Sequence, residues 1–316
     1  MKKLLTVLAT LLLLVGCGSS SGESVKRVGV IQLVQHEALD KATEGFADVL
    51  KEEFGDQVDV DIQVASGDSA TCALMAQNFV AEGVDLIMCN ATPALQAASQ
   101  ATVDIPILGT SVTEYGVALN IDNFSGTVGG NISGTSDLAP LDQQAQMIID
   151  LIPDAKVVGL LYCTSEANSK YQIDVVKAYL EGKGLKVNVY SFSDTSTLDA
   201  TVTAACDEID ALYIPTDNAC ADNGQVIASA ADHKNIPIIT GEKSTLVSCD
   251  GVASLSIDYY ELGKTTGQMA IKILKGESDI STMPIEYFAN PVKLYNKAKA
   301  DKYGIAIPSD YVEVEG

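Results

Sequence analysis

Few residues of this chain are placed to do covalent or metal chemistry. Its two histidines, His36 and His233, lie far apart, and its seven cysteines form neither a Cys-x-x-Cys pair nor a Cys/His cluster. A zinc site draws on such ligands at close, characteristic spacing, so no metal centre and no cofactor are expected. There is no Gly-x-Ser-x-Gly elbow, no Walker-type phosphate loop and no dinucleotide fingerprint. A triad built on either histidine has no motif to support it, and an enzyme is not expected.

What remains is recognition chemistry. Thr92-Pro93 puts a hydroxyl and then a proline at the start of a helical pattern. The N–H groups and partial positive charge of such a helix start suit a small carboxylate. Thr164-Ser165-Glu166-Ala167-Asn168-Ser169 is a second hydroxyl-rich helix start. Asp217 (in Pro215-Thr216-Asp217-Asn218), Glu242 after Gly241, and Asp258 before Tyr259 are loop carboxylates. Each can pair an ammonium or simply cap a helix. Helix starts for a carboxylate, a buried acid for an ammonium and apolar walls together describe an amino-acid site.

The elements that position these loops repeat. Residues 28–33 read as a buried strand. Residues 38–54 form a helix with Ala38, Ala42, Phe46, Val49 and Leu50 on one face. A strand (58–64), a helix (70–82), a strand (84–89), a helix (93–102) and a strand (105–108) follow. The order recurs from Val157: strands at 157–162, 185–190 and 209–214, with helices at 171–181, 197–207 and 225–233. Ile105-Pro106-Ile107 in the first copy matches Ile236-Pro237-Ile238 in the second. This is an α/β chain of two doubly wound parallel-sheet lobes. The remaining tail (a strand at 255–257, a helix at 260–274, a strand at 283–288 and a short helix at 296–303) supplies crossings back between them. A three-segment hinge is expected near 136–140, 254–257 and 284–291. The N-terminal lobe then comprises 26–136 plus 257–284, and the C-terminal lobe 137–256 plus 285–316. Ligands of open parallel sheets sit beyond the carboxyl ends of the strands. That places Gln35-His36-Glu37 and Asn90-Ala91-Thr92 of one lobe opposite the acidic loops of the other.

The N-terminus and the charge bound the setting. Lys2-Lys3, the apolar run 4–15 and Gly16-Cys17 read as a signal peptide (1–16) ending in a lipobox, with Cys17 lipidated and 17–25 a flexible tether. The run is shorter than the roughly 20 residues that span a bilayer. The formal charge is −22, which disfavours nucleic acid and leaves membrane attachment to the acyl chain. Cys72, Cys89, Cys163, Cys206, Cys220 and Cys249 could pair, but the apolar runs around Cys89 and Cys163 favour free buried thiols.

Several stretches together resemble a known family. These are His36-Glu37-Ala38-Leu39-Asp40, Asn131-Ile132-Ser133-Gly134-Thr135-Ser136-Asp137, 164–169, Pro215-Thr216-Asp217-Asn218, 258–263 and 265–276. They are similar to the ABC-transporter substrate-binding lipoproteins of the tryptophan-binding type. The resemblance implies the two-lobed, Venus-flytrap type I periplasmic-binding fold. It implies an aromatic amino acid as ligand, and a permease and a cytoplasmic ATPase as partners. It also implies ligand contacts from His36, Asn90 and Thr92, from Ser165, Asn168, Ser169, Asp217 and Asn218, and from Asp258 near the hinge. Where relatives usually have Val-Thr-Asp-Pro, this chain has Val112-Thr113-Glu114-Tyr115. Thr113 and Tyr115 are therefore expected at the cleft, with Tyr115 stacking on a ligand or filling space. A sugar or nucleoside ligand, and a sensor in place of a transport receptor, stay open as alternatives.

Overall fold

The computed structural model describes residues 25–288 and 290–314. In chain order, the first part runs β1 (Lys26–Gln32), α1 (Glu37–Phe54), β2 (Val58–Val64), α2 (Ser69–Glu82), β3 (Leu86–Asn90), α3 (Thr92–Ala101), β4 (Ile107–Thr110), α4 (Tyr115–Leu119) and β5 (Ile132–Ser136). The second runs α5 (Leu141–Leu151), β6 (Val157–Cys163), α6 (Ala167–Gly182), β7 (Lys186–Phe192), α7 (Leu198–Cys206), β8 (Ala211–Ile214), α8 (Asn218–Asp222), α9 (Gly224–Lys234), β9 (Ile238–Thr240), α10 (Lys243–Ser248) and β10 (Ala253–Ser256). The tail is α11 (Tyr259–Leu274), β11 (Glu286–Tyr287), β12 (Val292–Tyr295), α12 (Lys297–Tyr303) and β13 (Val312–Glu313).

The strands form two sheets, ordered β11-β5-β4-β3-β1-β2 and β13-β12-β10-β9-β8-β6-β7. The core order β4-β3-β1-β2 of the first is matched by β9-β8-β6-β7 in the second, which is the duplication seen in the sequence. All strand pairs are parallel except β10–β12. The central strands are apolar through their middles, β3 being fully buried from Leu86 to Asn90, because helices cover both faces. In each sheet the chain winds one way from β1 or β6 and then the other way through β3 or β8. The crevice at that switch point is where such sheets hold ligands.

Three crossings join the lobes, after β5, after β10 and between β11 and β12. The third corrects the sequence reading. Residues 285–287 belong to the first lobe: Ile285 is in its core, its N–H donates to Gly126 O at 2.7 Å, and Glu286 pairs with Thr135. The strand expected over 283–288 shrinks to two residues because only this short stretch meets β5. Cys17, the signal peptide and residues 17–24 of the tether lie outside the described residues. Among the described residues no helix is long and apolar enough to cross a membrane. The six described cysteines are free and buried, and burial pushes the thiols of Cys72 and Cys206 up to about 11.

The tail helix α11 returns to the first lobe and lies against α1. Their seam closes on glycines. A Cβ on Gly263 would collide with the backbone of Ala42, and one on Gly45 with the backbone of Tyr260. The helices therefore touch main chain to main chain, and α1, which carries His36 at its start, is fixed by a segment that has already visited the other lobe. Gly263→Val should push the two helices apart at a cost of about 1–3 kcal/mol. A thermal melt should show the loss as a lowered Tm; an unchanged Tm would mean that the seam is loose.

Candidate ligand-binding site between the lobes

On the first lobe, Asn90 ends β3 fully buried. Its Nδ2 donates to Leu39 O at 2.7 Å and to Thr43 Oγ1 at 2.9 Å, tying the strand to α1, while its Oδ1 has no partner. Thr92 is the first residue of α3, not its cap. The cap position is Ala91, which makes no side-chain cap bond. The Thr92 hydroxyl is buried and unpartnered. Ala91 (φ 95°) and Ser111 (φ 52°) both hold left-handed backbone at the carboxyl ends of β3 and β4. For a non-glycine residue that costs on the order of 1–3 kcal/mol, and such strain collects at functional sites. Ser111 is buried with an unpartnered hydroxyl. Thr113 is buried and its carbonyl accepts from Ser136 Oγ at 2.8 Å.

Just beyond β5 stands Asp137, 3% exposed. Its Oδ2 accepts from Tyr259 O–H at 2.9 Å, and its Oδ1 has no partner. Burial pushes its carboxyl up to about 6, against the pull of the Tyr259 hydrogen bond and of the nearby Thr113 hydroxyl, which stands outside hydrogen-bond geometry to Oδ1.

The second lobe answers with three more buried carboxylates, and each is already engaged. Glu166 reaches from the β6–α6 turn to the start of α8. It accepts from Asn218 N at 3.1 Å, Asn218 Nδ2 at 2.6 Å and Ala219 N at 2.9 Å. Burial and the nearby Asp217 charge push Glu166 upward, and these donors pull it back. Asp217 caps α8 through Cys220 N at 2.9 Å and holds β6 through Cys163 N at 2.7 Å. Glu242 caps α10, taking Ser244 N at 2.6 Å, Ser244 Oγ at 2.9 Å, and the amide and hydroxyl of Thr245. Asn168 Nδ2 and Ser169 Oγ donate to Thr216 O at 3.1 and 3.4 Å, and Asn168 Oδ1 is unpartnered.

The lobes meet over these groups. They enclose a space of about 10 Å³ lined by residues that include His36, Ser111, Asp137, Asn168, Asp217 and Tyr259, which is room for about one water. Three of the lining residues carry a buried polar atom with no partner: Ser111, Asp137 and Asn168. A larger groove of about 500 Å³ lies beside it, lined among others by Glu37, Lys41, Lys243, Asp258 and Tyr260. None of the groove's lining residues has such an orphan atom, so the enclosed space is the better candidate site.

The structure thus brings together His36, Asn168, Asp217, Asn218 and Glu242 around one cavity, with Asn90, Thr92, Thr113 and Ser169 buried in the loops and helix starts beyond the strand ends. Three expectations change. Tyr115 points away from the cleft into the first-lobe core. Its hydroxyl donates to Thr135 O at 3.0 Å and its ring stacks on Phe124 at 6.5 Å, over ground kept clear by Gly109 and Gly134. Asp258 is exposed and caps α11 through Glu261 N at 3.1 Å, so it faces the outer groove. Ser165 is exposed at the rim, 3.0 Å from Cys163 Sγ. Sequence reasoning did not single out Asp137 or Glu166. The available signal was an acid directly beyond a strand end at a lobe crossing, and an acid inside a hydroxyl-rich helix start.

Two α/β lobes closed on a polar, water-sized cavity define a solute-binding receptor. A profile described as ABC transporter substrate binding protein matches residues 27–315, and the chain belongs to that family. The chain is 35% identical over 291 residues to a tyrosine-binding protein of Clostridioides difficile strain R20291, covering 86% of this chain and 83% of that protein. A Streptococcus pneumonia ABC domain in complex with L-Trp superposes with TM-score 0.87 at 34% identity, over 92% of this chain and all of that one. A ligand-free, open substrate-binding protein of Clostridium difficile, also 34% identical over 92% of this chain and all of that one, gives only 0.69. At equal identity, the lobe arrangement here is therefore more like that of the L-Trp complex than like that of the open, ligand-free protein. Solved structures at 11–17% identity share the fold alone.

Asp137 generates a stability prediction. Its folded-state value is raised, so the folded form is favoured while the carboxyl is neutral and loses that advantage as pH climbs through about 6. Asp137→Asn should therefore stabilise the ligand-free protein at pH 7.5, by about 2–3 kcal/mol at most. The gain should fade toward pH 4, as followed by urea denaturation. A variant no more stable than the parent at pH 7.5 would show that Asp137 is already paired.

Proposed function

We propose that this protein is the receptor of an ABC importer that captures an aromatic amino acid between its lobes and delivers it to a membrane permease. The observation that carries the ligand class is Asp137. It is the one buried cleft carboxylate with an oxygen left free, and an α-ammonium is the group that satisfies both its charge and its geometry. The Ser111 hydroxyl and the free N–H groups at the start of α6 are the donors that would hold the α-carboxylate. Leu39, Ala221 and Tyr259 supply apolar and aromatic wall. The tyrosine-binding relative and the L-Trp complex support an aromatic side chain. The ligand enters with the lobes apart and keeps them from meeting as tightly as they do here.

In this reading Asp217 and Glu242 shape the site rather than pair the ammonium, since helix-start N–H groups already fill them. The receptor is exported and held at the outer face of the membrane by a lipid on Cys17, and the ATP is hydrolysed by a separate subunit. Cys17→Ser should abolish incorporation of labelled palmitate and release the protein from membranes. Incorporation that persists would place the anchor elsewhere.

Ligand class is tested by thermal shift on residues 25–316. Tyrosine, tryptophan or phenylalanine at 100 times its dissociation constant should stabilise by about 2.7 kcal/mol, and ribose or a nucleoside should not. Asp137→Asn should weaken amino-acid binding by tenfold or more while the fold persists. A response confined to a sugar or nucleoside would overturn the proposal.

A further inference from the structure

The Asp137 carboxylate is not held in the cavity by its own loop alone. Its one side-chain hydrogen bond among the described residues comes from the Tyr259 hydroxyl, 2.9 Å from Oδ2. The polarity of that bond is fixed. Burial, and then the Asp137 and Glu242 charges, push the Tyr259 phenol well above its usual range, so it keeps its proton and donates. With Oδ2 taken, Oδ1 is the oxygen left without a partner, and both residues line the enclosed space.

The packing of the Tyr259 ring sets the direction of its hydroxyl. Tyr259 is 6% exposed and clusters with Ala38 and Ala42 of α1, Ala139 of the first crossing, and Ile257 and Leu262. Helix α11, which it begins, is pinned to α1 at Gly45 and Gly263. Asp137 follows β5 at the first crossing and Tyr259 follows β10 at the second, so the bond ties two of the three crossings together. A phenylalanine ring fits the same packing and keeps the same wall, without the donor.

We infer that Tyr259 is the positioning residue of the ammonium site: its hydroxyl holds Asp137 by Oδ2, keeps the carboxylate ionised and leaves Oδ1 for the ligand. The inference rests on the proposed function in that Asp137 receives an ammonium. The surroundings show why the hydroxyl matters. Burial raises Asp137 to about 6, and the Tyr259 bond is the strongest pull the other way; the Thr113 hydroxyl adds to that pull and the Glu242 charge opposes it. His36 from α1, Asp217 from α8 and Glu242 from α10 share the cavity, and Glu166 stands behind Asn218, 2.6 Å from its Nδ2. Without the Tyr259 donor the carboxyl keeps its proton to higher pH, and a protonated acid offers an ammonium no charge.

Calorimetric titration with L-tyrosine between pH 5 and 8 tests this. Pairing the ammonium needs an ionised Asp137, so the parent's affinity should rise as pH climbs toward about 6 and then level. The rise is at most about tenfold per pH unit, the limit for one proton. In Tyr259→Phe the levelling point should move up by roughly one pH unit, and affinity at pH 6 should fall about tenfold, the gap narrowing toward pH 8. Asp137→Asn should remove this pH dependence, while the other titratable groups of the cavity remain in all three proteins. A single 3-fluorotyrosine at position 259 keeps the hydroxyl and gives a second readout. Its ¹⁹F signal in ligand-free protein should titrate near pH 6 and cease to do so once Asp137→Asn is added. If Tyr259→Phe leaves the levelling point in place, with affinity unchanged or lowered equally at every pH, the positioning role is overturned and the ammonium reading stands. A ¹⁹F signal indifferent to Asp137 has the same consequence. A parent affinity that is flat across the range, or that Asp137→Asn leaves intact, would overturn the ammonium reading and the positioning role with it.

Discussion

A carboxylate taken out of water must find donors or a charge, and the cleft of this receptor is arranged around four of them. Glu166, Asp217 and Glu242 accept from N–H groups at the starts of α8 and α10, where the chain has donors to spare, and Asp217 also from Cys163 N of β6. Asp137 has one hydroxyl partner and one free oxygen. The three satisfied acids hold the second lobe's loops in place. In the proposed function the unsatisfied one is what a ligand's ammonium would meet.

The fold exists to bring these groups to one point. Each sheet reverses its winding beside β1 or β6, and the loops that leave the strands there carry His36 and Asn90 on one side and Glu166 and Asp217 on the other. The glycine seam between α1 and α11 couples the two lobes, because α11 reaches the first lobe only after the chain has built the second. Asp137 and Tyr259 themselves sit just past the first and second crossings. A hinge motion that parts the lobes therefore also changes the surroundings of the ammonium-binding candidate and breaks the cross-lobe contacts of His36.

Much of this was legible in the sequence. The repeated strand–helix order, the matching Ile-Pro-Ile strands and the polar loops after them reveal the two sheets and their facing edges, because buried parallel strands leave an uninterrupted apolar signal. Small elements were not legible. α4, α8 and α10 are single turns whose formation depends on a capping acid meeting its backbone target, and the two-residue β11 exists only because β5 offers it an edge. The roles of the acids were the hardest to read. Asp217 and Asp137 are the same residue type beyond strand ends. Only the three-dimensional inventory of donors shows that the first is spent on Cys163 and Cys220 while the second is not. Tyr115 is a similar case, since its direction is set by Gly109 and Gly134, far from it in sequence or across a strand.

The central claim is that Asp137, and not another acid of the cleft, receives the ammonium of a bound amino acid. The direct measurement is a crystal structure of the protein with L-tyrosine. The account predicts the ammonium nitrogen within about 2.7–3.2 Å of Asp137 Oδ1, with Asp217 and Glu242 still capping their helices. An ammonium seated on Asp217, Glu242 or Asp258, with Asp137 untouched, would contradict it.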